Sequence, residues 1–218
     1  MHVAIGLYQG VTALDAIGPY QVFASTPGVE VTLCAAHAGG LVDDNGLVQL
    51  DVAHTFDETQ RPDVVVVPGG PIASKLARDG DPIVEWIRAT HPHTVYTTSV
   101  CFGALLLGAA GLLEGRRATT HWYAYEALAS YGAQPTEERV VRQGRICTAA
   151  GVSAGIDLAL ALVGALAGPE VAQAIQLGLE YDPQPPFDAG APSKAPAEIT
   201  DLVRAMLAEA ESHLLELR

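Results

Sequence analysis

The stretch from Thr94 to Gly111, TVYTTSVCFGALLLGAAG, changes character at its centre. Thr94 to Val100 is a run of β-branched, hydroxylated and aromatic residues of strand length, while Phe102 to Ala110 is made of small and straight-chain apolar residues that suit a buried helix. Cys101 stands at the junction. A strand-to-helix turn of this kind aims its side chain out of the top of a sheet and over a helix N-terminus. It also needs a small residue close behind, which Gly103 supplies. The dipole and free N–H groups of the helix start favour a thiolate, so the position predicts a lowered thiol pKa and a nucleophilic Cys101.

Working outward, Asp63 to Val67, DVVVV, is apolar on both faces and ends in Pro68-Gly69-Gly70, as a central parallel strand does when helices cover both sides of the sheet. Further strand-like runs are His2 to Tyr8, Glu30 to Ala36 and a pair spanning Arg139 to Ala149. Helices are expected at Leu14 to Ser25, Ile83 to Ala89, Trp122 to Tyr131, Ala154 to Ala167 and Glu170 to Tyr181. The alternation predicts an α/β sandwich with a mostly parallel sheet. Asn45-Gly46 and Gln143-Gly144 read as hairpin turns, the first as a type I′ turn. The segment from Asp182 to Pro196 holds five prolines and must be irregular. After it, Ile199, Leu202, Val203, Met206, Leu207, Ala210, Leu214 and Leu217 form one apolar stripe on a helix. One domain, 1–192, is expected, with 193–218 as an amphipathic helix packed on that domain or on a dimer partner.

Open parallel sheets bind ligands at the carboxyl ends of their strands, where Cys101 and Pro68-Gly69-Gly70 both fall. The helix start behind Cys101 and the Pro68-Gly69-Gly70 loop are therefore candidates to offer backbone N–H groups to a developing anion. Asp15 follows the first strand by a short loop and sits beside apolar residues. That setting raises a carboxyl pKa toward the range useful for proton transfer, so Asp15 is the expected acidic partner of Cys101. His121 opens a later helix and is an accessory candidate. Cys34 and Cys147 lie within strand-like runs and read as structural.

The chain has 218 residues, with 12 Lys and Arg against 25 Asp and Glu, a formal charge of −13. Such a field repels phosphates, so neither nucleic acid nor an anionic membrane surface is an expected partner. Hydrophobic residues make up 49% and charged ones 17%, which excludes disorder and points to a large buried core. Three scattered cysteines and no leader or membrane-spanning stretch lead to the expectation of a reducing cytoplasm. No paired ligand spacing suggests a metal.

Together LDAIGPYQVF, VVVPGG, TTSVCFGALLLGAAGLLEGRRATTHW and TAAGVSAGIDLAL resemble the DJ-1/PfpI superfamily, and within it the isonitrile hydratases. The resemblance runs from about Ile5 to Pro192. It implies a flavodoxin-like three-layer sandwich with a nucleophile elbow at Cys101, Asp15 as acid, N–H groups around Gly70 and Phe102, and Gly151 and Val152 as accessory positions. The implied protein is a homodimer that hydrates a small-molecule isonitrile to an N-substituted formamide through a thioimidate, with no cofactor. Where hydratases of this group carry threonine after the nucleophile, this chain has Phe102. PfpI-type members carry histidine there, so a local Cys-His dyad and a peptidase are not implied. Two other readings follow from the same resemblance: a glyoxalase-type carbonyl enzyme, and a cysteine-based sensor akin to the sensory half of AraC-type regulators.

Overall fold

In the computed structural model, which describes residues 1–216, the chain runs β1 (His2–Gly6), α1 (Ala13–Ala24), β2 (Glu30–Ala35), β3 (Gly39–Val42), β4 (Gln49–Val52), β5 (His54–Thr55), β6 (Val64–Val67), α2 (Ala73–Asp79), α3 (Pro82–Thr90), β7 (Tyr96–Val100), α4 (Gly103–Ala109), β8 (Arg117–Ala118), α5 (Tyr125–Ser130), β9 (Gln134–Pro135), β10 (Val140–Gln143), β11 (Ile146–Ala149), α6 (Ala154–Ala167), α7 (Pro169–Gly178) and α8 (Ala197–Glu216). The main sheet has the order β10-β11-β7-β6-β1-β2-β5. Every pairing in it is parallel except β10 with β11. Helices α1, α6 and α7 pack together, and α2, α3 and α5 pack on α4, which gives a flavodoxin-like α/β sandwich.

All four valines of β6 are fully buried, as a central strand covered on both sides requires. Thr97, Thr98 and Ser99 of β7 are equally buried, and Thr98 settles its hydroxyl by donating to the Val65 carbonyl of β6 at 2.9 Å. Strands β1 and β6 are neighbours, yet β1 leads into α1 in one helical layer and β6 into α2 in the other. A crevice opens at their carboxyl ends, the switch point where α/β sheets place ligands.

Several local expectations need correction. The first hairpin is not a two-residue type I′ turn, because Gly46 has a positive φ and Asn45 does not. The connection spans Asp43–Val48, and the Asp43 carboxylate accepts the N–H groups of Leu47 and Val48, which a tight turn would have left in the ladder. Strands β3 and β4 form a separate sheet. Helix α2 carries too short an apolar pattern to be foreseen, and the region expected as Trp122 to Tyr131 begins with a 3-10 turn, Trp122–Ala124, before α5.

The stripe on α8 is split. Val203 and Leu207 are half-buried, while Ile199, Leu202 and Met206 are 44%, 56% and 61% exposed. The Arg204 guanidinium lies 5.3 Å from the Trp122 ring centre, and the Tyr123 hydroxyl donates to Glu211 at 3.4 Å, so this helix touches the segment that follows Thr120. The side chain of Leu214 and all of Leu217 lie outside the described residues.

Candidate active site

Cys101 has φ +56°, a left-handed backbone that costs a residue with a Cβ roughly 1–2 kcal/mol. Its environment holds it there. The Cys101 N–H donates to the carbonyls of Ala149 and Ala150 at 3.2 and 2.9 Å, and its carbonyl accepts the Thr120 hydroxyl at 2.8 Å. Gly103 behind it cannot carry a side chain, since a Cβ would stand 2.2 Å from the Val67 carbonyl oxygen.

Asp15 lies in the first turn of α1 and is fully buried. Its Oδ2 accepts the Gly69 N–H at 2.9 Å, and the Gly69 carbonyl in turn accepts the Thr12 N–H at 2.9 Å, so the loop after β6 is stitched to the start of α1. The Oδ1 atom has no close hydrogen-bond partner among the described residues, and the Cys101 thiol is the polar side chain beside the carboxyl. Burial raises the Asp15 pKa to about 7, despite the Gly69 N–H and the thiol acting the other way.

The thiol is where the structure departs from expectation. Burial first, then the Asp15 carboxylate, push the Cys101 pKa well above the ordinary thiol value, although the backbone N–H groups of Phe102 and Val152 pull it down. A helix of seven residues cannot offset removal from water. Burial thus works against charge on both members of the pair, the Cys101 thiol and the Asp15 carboxyl.

Gly69 is the point where these groups meet. A Cβ there would sit 2.5 Å from the Phe102 nitrogen, 2.8 Å from Asp15 Oδ2 and 2.9 Å from Cys101 Cβ, so the site closes only around a residue without a side chain. Gly70, φ +148°, faces the other way, with a Cβ position 2.6 Å from the Gly10 carbonyl oxygen and 3.0 Å from the Thr12 nitrogen. Its own N–H has no protein acceptor among the described residues.

The Phe102 ring is buried and stacks on the His121 ring, with centres 5.2 Å apart and planes 12° from parallel. Gly151 packs on the His121 ring, its Cβ position 3.0 Å from Cδ2. Desolvation lowers the His121 pKa to about 4, so this imidazole is neutral at physiological pH. Phe102, His121 and Gly151 thus pack on one another, next to Cys101 and Val152 in the chain. Cys34 and Cys147 are buried in β2 and β11.

Sequence reasoning passed over Tyr8, whose hydroxyl donates to the Pro68 carbonyl at 2.8 Å and orients the Pro68-Gly69 peptide. It also passed over Thr120, and over Gly69 as the pivotal glycine of the pair. The position of Tyr8 at the carboxyl end of a strand neighbouring VVVPGG is the one signal that could have found it.

A profile of the DJ-1/PfpI family matches residues 1–165. The chain belongs to the DJ-1/PfpI family. Among relatives, an isonitrile hydratase from Pseudomonas putida is 44% identical over 204 residues, covering 94% of this chain and 89% of that one. A THiJ/PfpI family protein from Pseudomonas syringae superposes with a TM-score of 0.91 at 36% identity, covering 98% of this chain and 90% of that one. An HTH-type transcriptional regulator, CdhR, from Pseudomonas aeruginosa is 38% identical over 92 residues, which span 41% of this chain and 27% of the regulator. The regulator match is thus confined to part of the chain. Among the described residues no helix is long and apolar enough to cross a membrane, and no cluster of side chains could hold a metal ion.

Proposed function

We propose that the protein is a cysteine-dependent isonitrile hydratase. The observation that carries this reading is the meeting of Asp15 and Cys101 across Gly69, with the Phe102 and Val152 N–H groups favouring charge on the sulfur. The 44% identity to an isonitrile hydratase over most of both chains supports the choice of reaction.

In this mechanism the Asp15 carboxylate takes the thiol proton as sulfur attacks the terminal carbon of R–N≡C. It then delivers that proton to the same carbon, leaving the thioimidate R–N=CH–S–Cys101. Water adds to this carbon, losing one proton to Asp15, which passes it on to the imine nitrogen. Collapse of the tetrahedral adduct forms the formyl C=O, breaks the C–S bond and returns the proton to sulfur. The product is R–NH–CHO, and isonitrile plus water balances it with no redox partner. The N–H groups of Phe102, Val152 and Gly70 serve as donors to charge on sulfur and on the adduct.

The test is to incubate the purified protein with a simple alkyl isonitrile and follow formamide. Wild type should turn over, Cys101→Ala should be inert, and Asp15→Asn should lose at least ~100-fold, the scale of losing an acid-base group. An inert wild type, or consumption of methylglyoxal in its place, would overturn the reading. Turnover gained only by Phe102→Thr would show that the scaffold suits hydration but that it is not the native reaction.

We further propose a homodimer in a reducing cytoplasm. The exposed Ile199, Leu202 and Met206 on α8 support an apolar contact, and three free thiols suit the compartment. Light scattering should give twice the chain mass of 22.7 kDa; the monomer mass would exclude the dimer.

A further inference from the structure

His121 is bracketed on three sides. Its ring lies on Phe102, its edge lies on Gly151, and the Thr120 hydroxyl ties the segment that carries it to the Cys101 carbonyl. Its Nδ1 accepts the Tyr123 N–H at 3.3 Å as the cap of the 3-10 turn. A ring nitrogen that accepts an N–H carries no proton, so a neutral imidazole in this place must bear its proton on Nε2. Nε2 has no protein partner among the described residues, and it is not sealed from solvent as the Asp15 Oδ1 is. It lies 3.7 Å from the Cβ position of Gly151, next to Val152, whose N–H favours charge on the Cys101 sulfur.

We propose that His121 is a catalytic hydrogen-bond donor, held as the neutral Nε2–H tautomer, that binds the substrate nitrogen and does not give up its proton. The inference rests on the hydratase reading. During water addition the imine nitrogen of the thioimidate gathers electron density while its carbon gains the oxygen. A fixed neutral N–H at that nitrogen stabilises the transition state without competing with Asp15 for a proton. Phe102 then has a use of its own: its ring is the platform that sets the plane of the imidazole. A more basic histidine would become a second proton carrier and a second positive centre. Burial removes that option here.

The side chains of asparagine and glutamine separate the two ring nitrogens. His121→Asn keeps an acceptor near Nδ1 for the Tyr123 N–H and loses the distal donor, whereas His121→Gln can present an amide N–H near the Nε2 position. We expect kcat for isonitrile hydration to fall by ~10-fold or more in His121→Asn and by less than ~3-fold in His121→Gln, the scale of one transition-state hydrogen bond. Both variants lose the stacked ring, so their thermal midpoints should shift alike, and the rate of Cys101 alkylation by iodoacetamide should stay close to wild type in both. Equal losses in both variants would assign His121 a proton-transfer or packing role and overturn the proposal, as would kcat unchanged in His121→Asn. The tautomer is decided without turnover, by ring nitrogen-15 shifts of wild type at pH 7. A proton on Nδ1, or on both nitrogens, overturns the inference whatever the enzyme does. A wild type inert toward isonitriles would instead sink the hydratase reading, and with it the assignment to the substrate nitrogen.

Discussion

Burial sets Asp15 and Cys101 in competition for a single negative charge. Burial raises both pKa values, the Asp15 carboxylate raises that of the thiol further while the thiol lowers that of Asp15, and Asp15 ionises at about 7. If the carboxylate is the base for the thiol, kcat/KM should fall about tenfold per pH unit below 7, and a pH–rate profile checks this. A plateau continuing down to pH 5 would show that the ionised carboxylate is not required. The same shift has a stability consequence with the opposite sense to an ordinary salt-bridged aspartate. The folded carboxyl holds its proton to about 7 where the unfolded one loses it near 4, so the native state binds more protons across that window and stability falls as pH rises through it. Removing the charge should therefore help: Asp15→Asn is expected to stabilise by up to about 4 kcal/mol at pH 8 and by little at pH 4, as urea unfolding at the two values would reveal. The sequence made Cys101 and Asp15 legible as partners, but it suggested a thiolate at a helix start. Desolvation, which depends on what covers the residue, reversed that sign.

At the scale of elements, the site depends on how closely α4 and the loop after β6 approach each other. Gly69→Ala should abolish the arrangement, because its methyl would overlap the Phe102 nitrogen, and we expect a loss of at least ~10²-fold in activity, the scale of misplacing reacting groups by about an ångström. Gly103→Ala meets backbone oxygens in place of movable side chains, so it should cost stability of about 1–3 kcal/mol or more, read from the shift in denaturant midpoint. Strand β6 was visible in the sequence because a fully buried strand leaves a continuous apolar run, β7 because its residues are β-branched and aromatic, and α4 because it is apolar all round. The Asp43–Val48 connection was not, since a side chain acting as an acceptor for two N–H groups has no hydropathy signature. Helix α2, at seven residues, is too short to show a period.

Across the whole molecule the charge of −13 is spread over a surface with few cations. Lys75 pairs with Asp79, Arg88 with Glu85, Arg117 with Glu138, Arg139 with Asp157 and Lys194 with Asp188, all at positions open to solvent. Exposed pairs of this kind contribute about 0–1 kcal/mol each, whereas the excess negative charge repels itself throughout. Screening should then help more than it harms, and the thermal midpoint should rise between ~20 and ~300 mM sodium chloride, as the Debye length shortens. A midpoint that falls with salt would mean that the pairs outweigh the net charge.

The residues by themselves determined the layering, the central strands, the position of Cys101 at a strand-to-helix turn and the family, since each rests on hydrophobic pattern or local motif. Only the tertiary structure decided that Gly69 and not Gly70 packs between Asp15 and Cys101, that His121 stacks on Phe102, that the α8 stripe is shared between body and solvent, and that burial pushes the Cys101 thiol pKa up. Those outcomes depend on which surfaces exclude water and which atoms approach within 3 Å across residues far apart in the chain, and neither quantity is carried by local sequence.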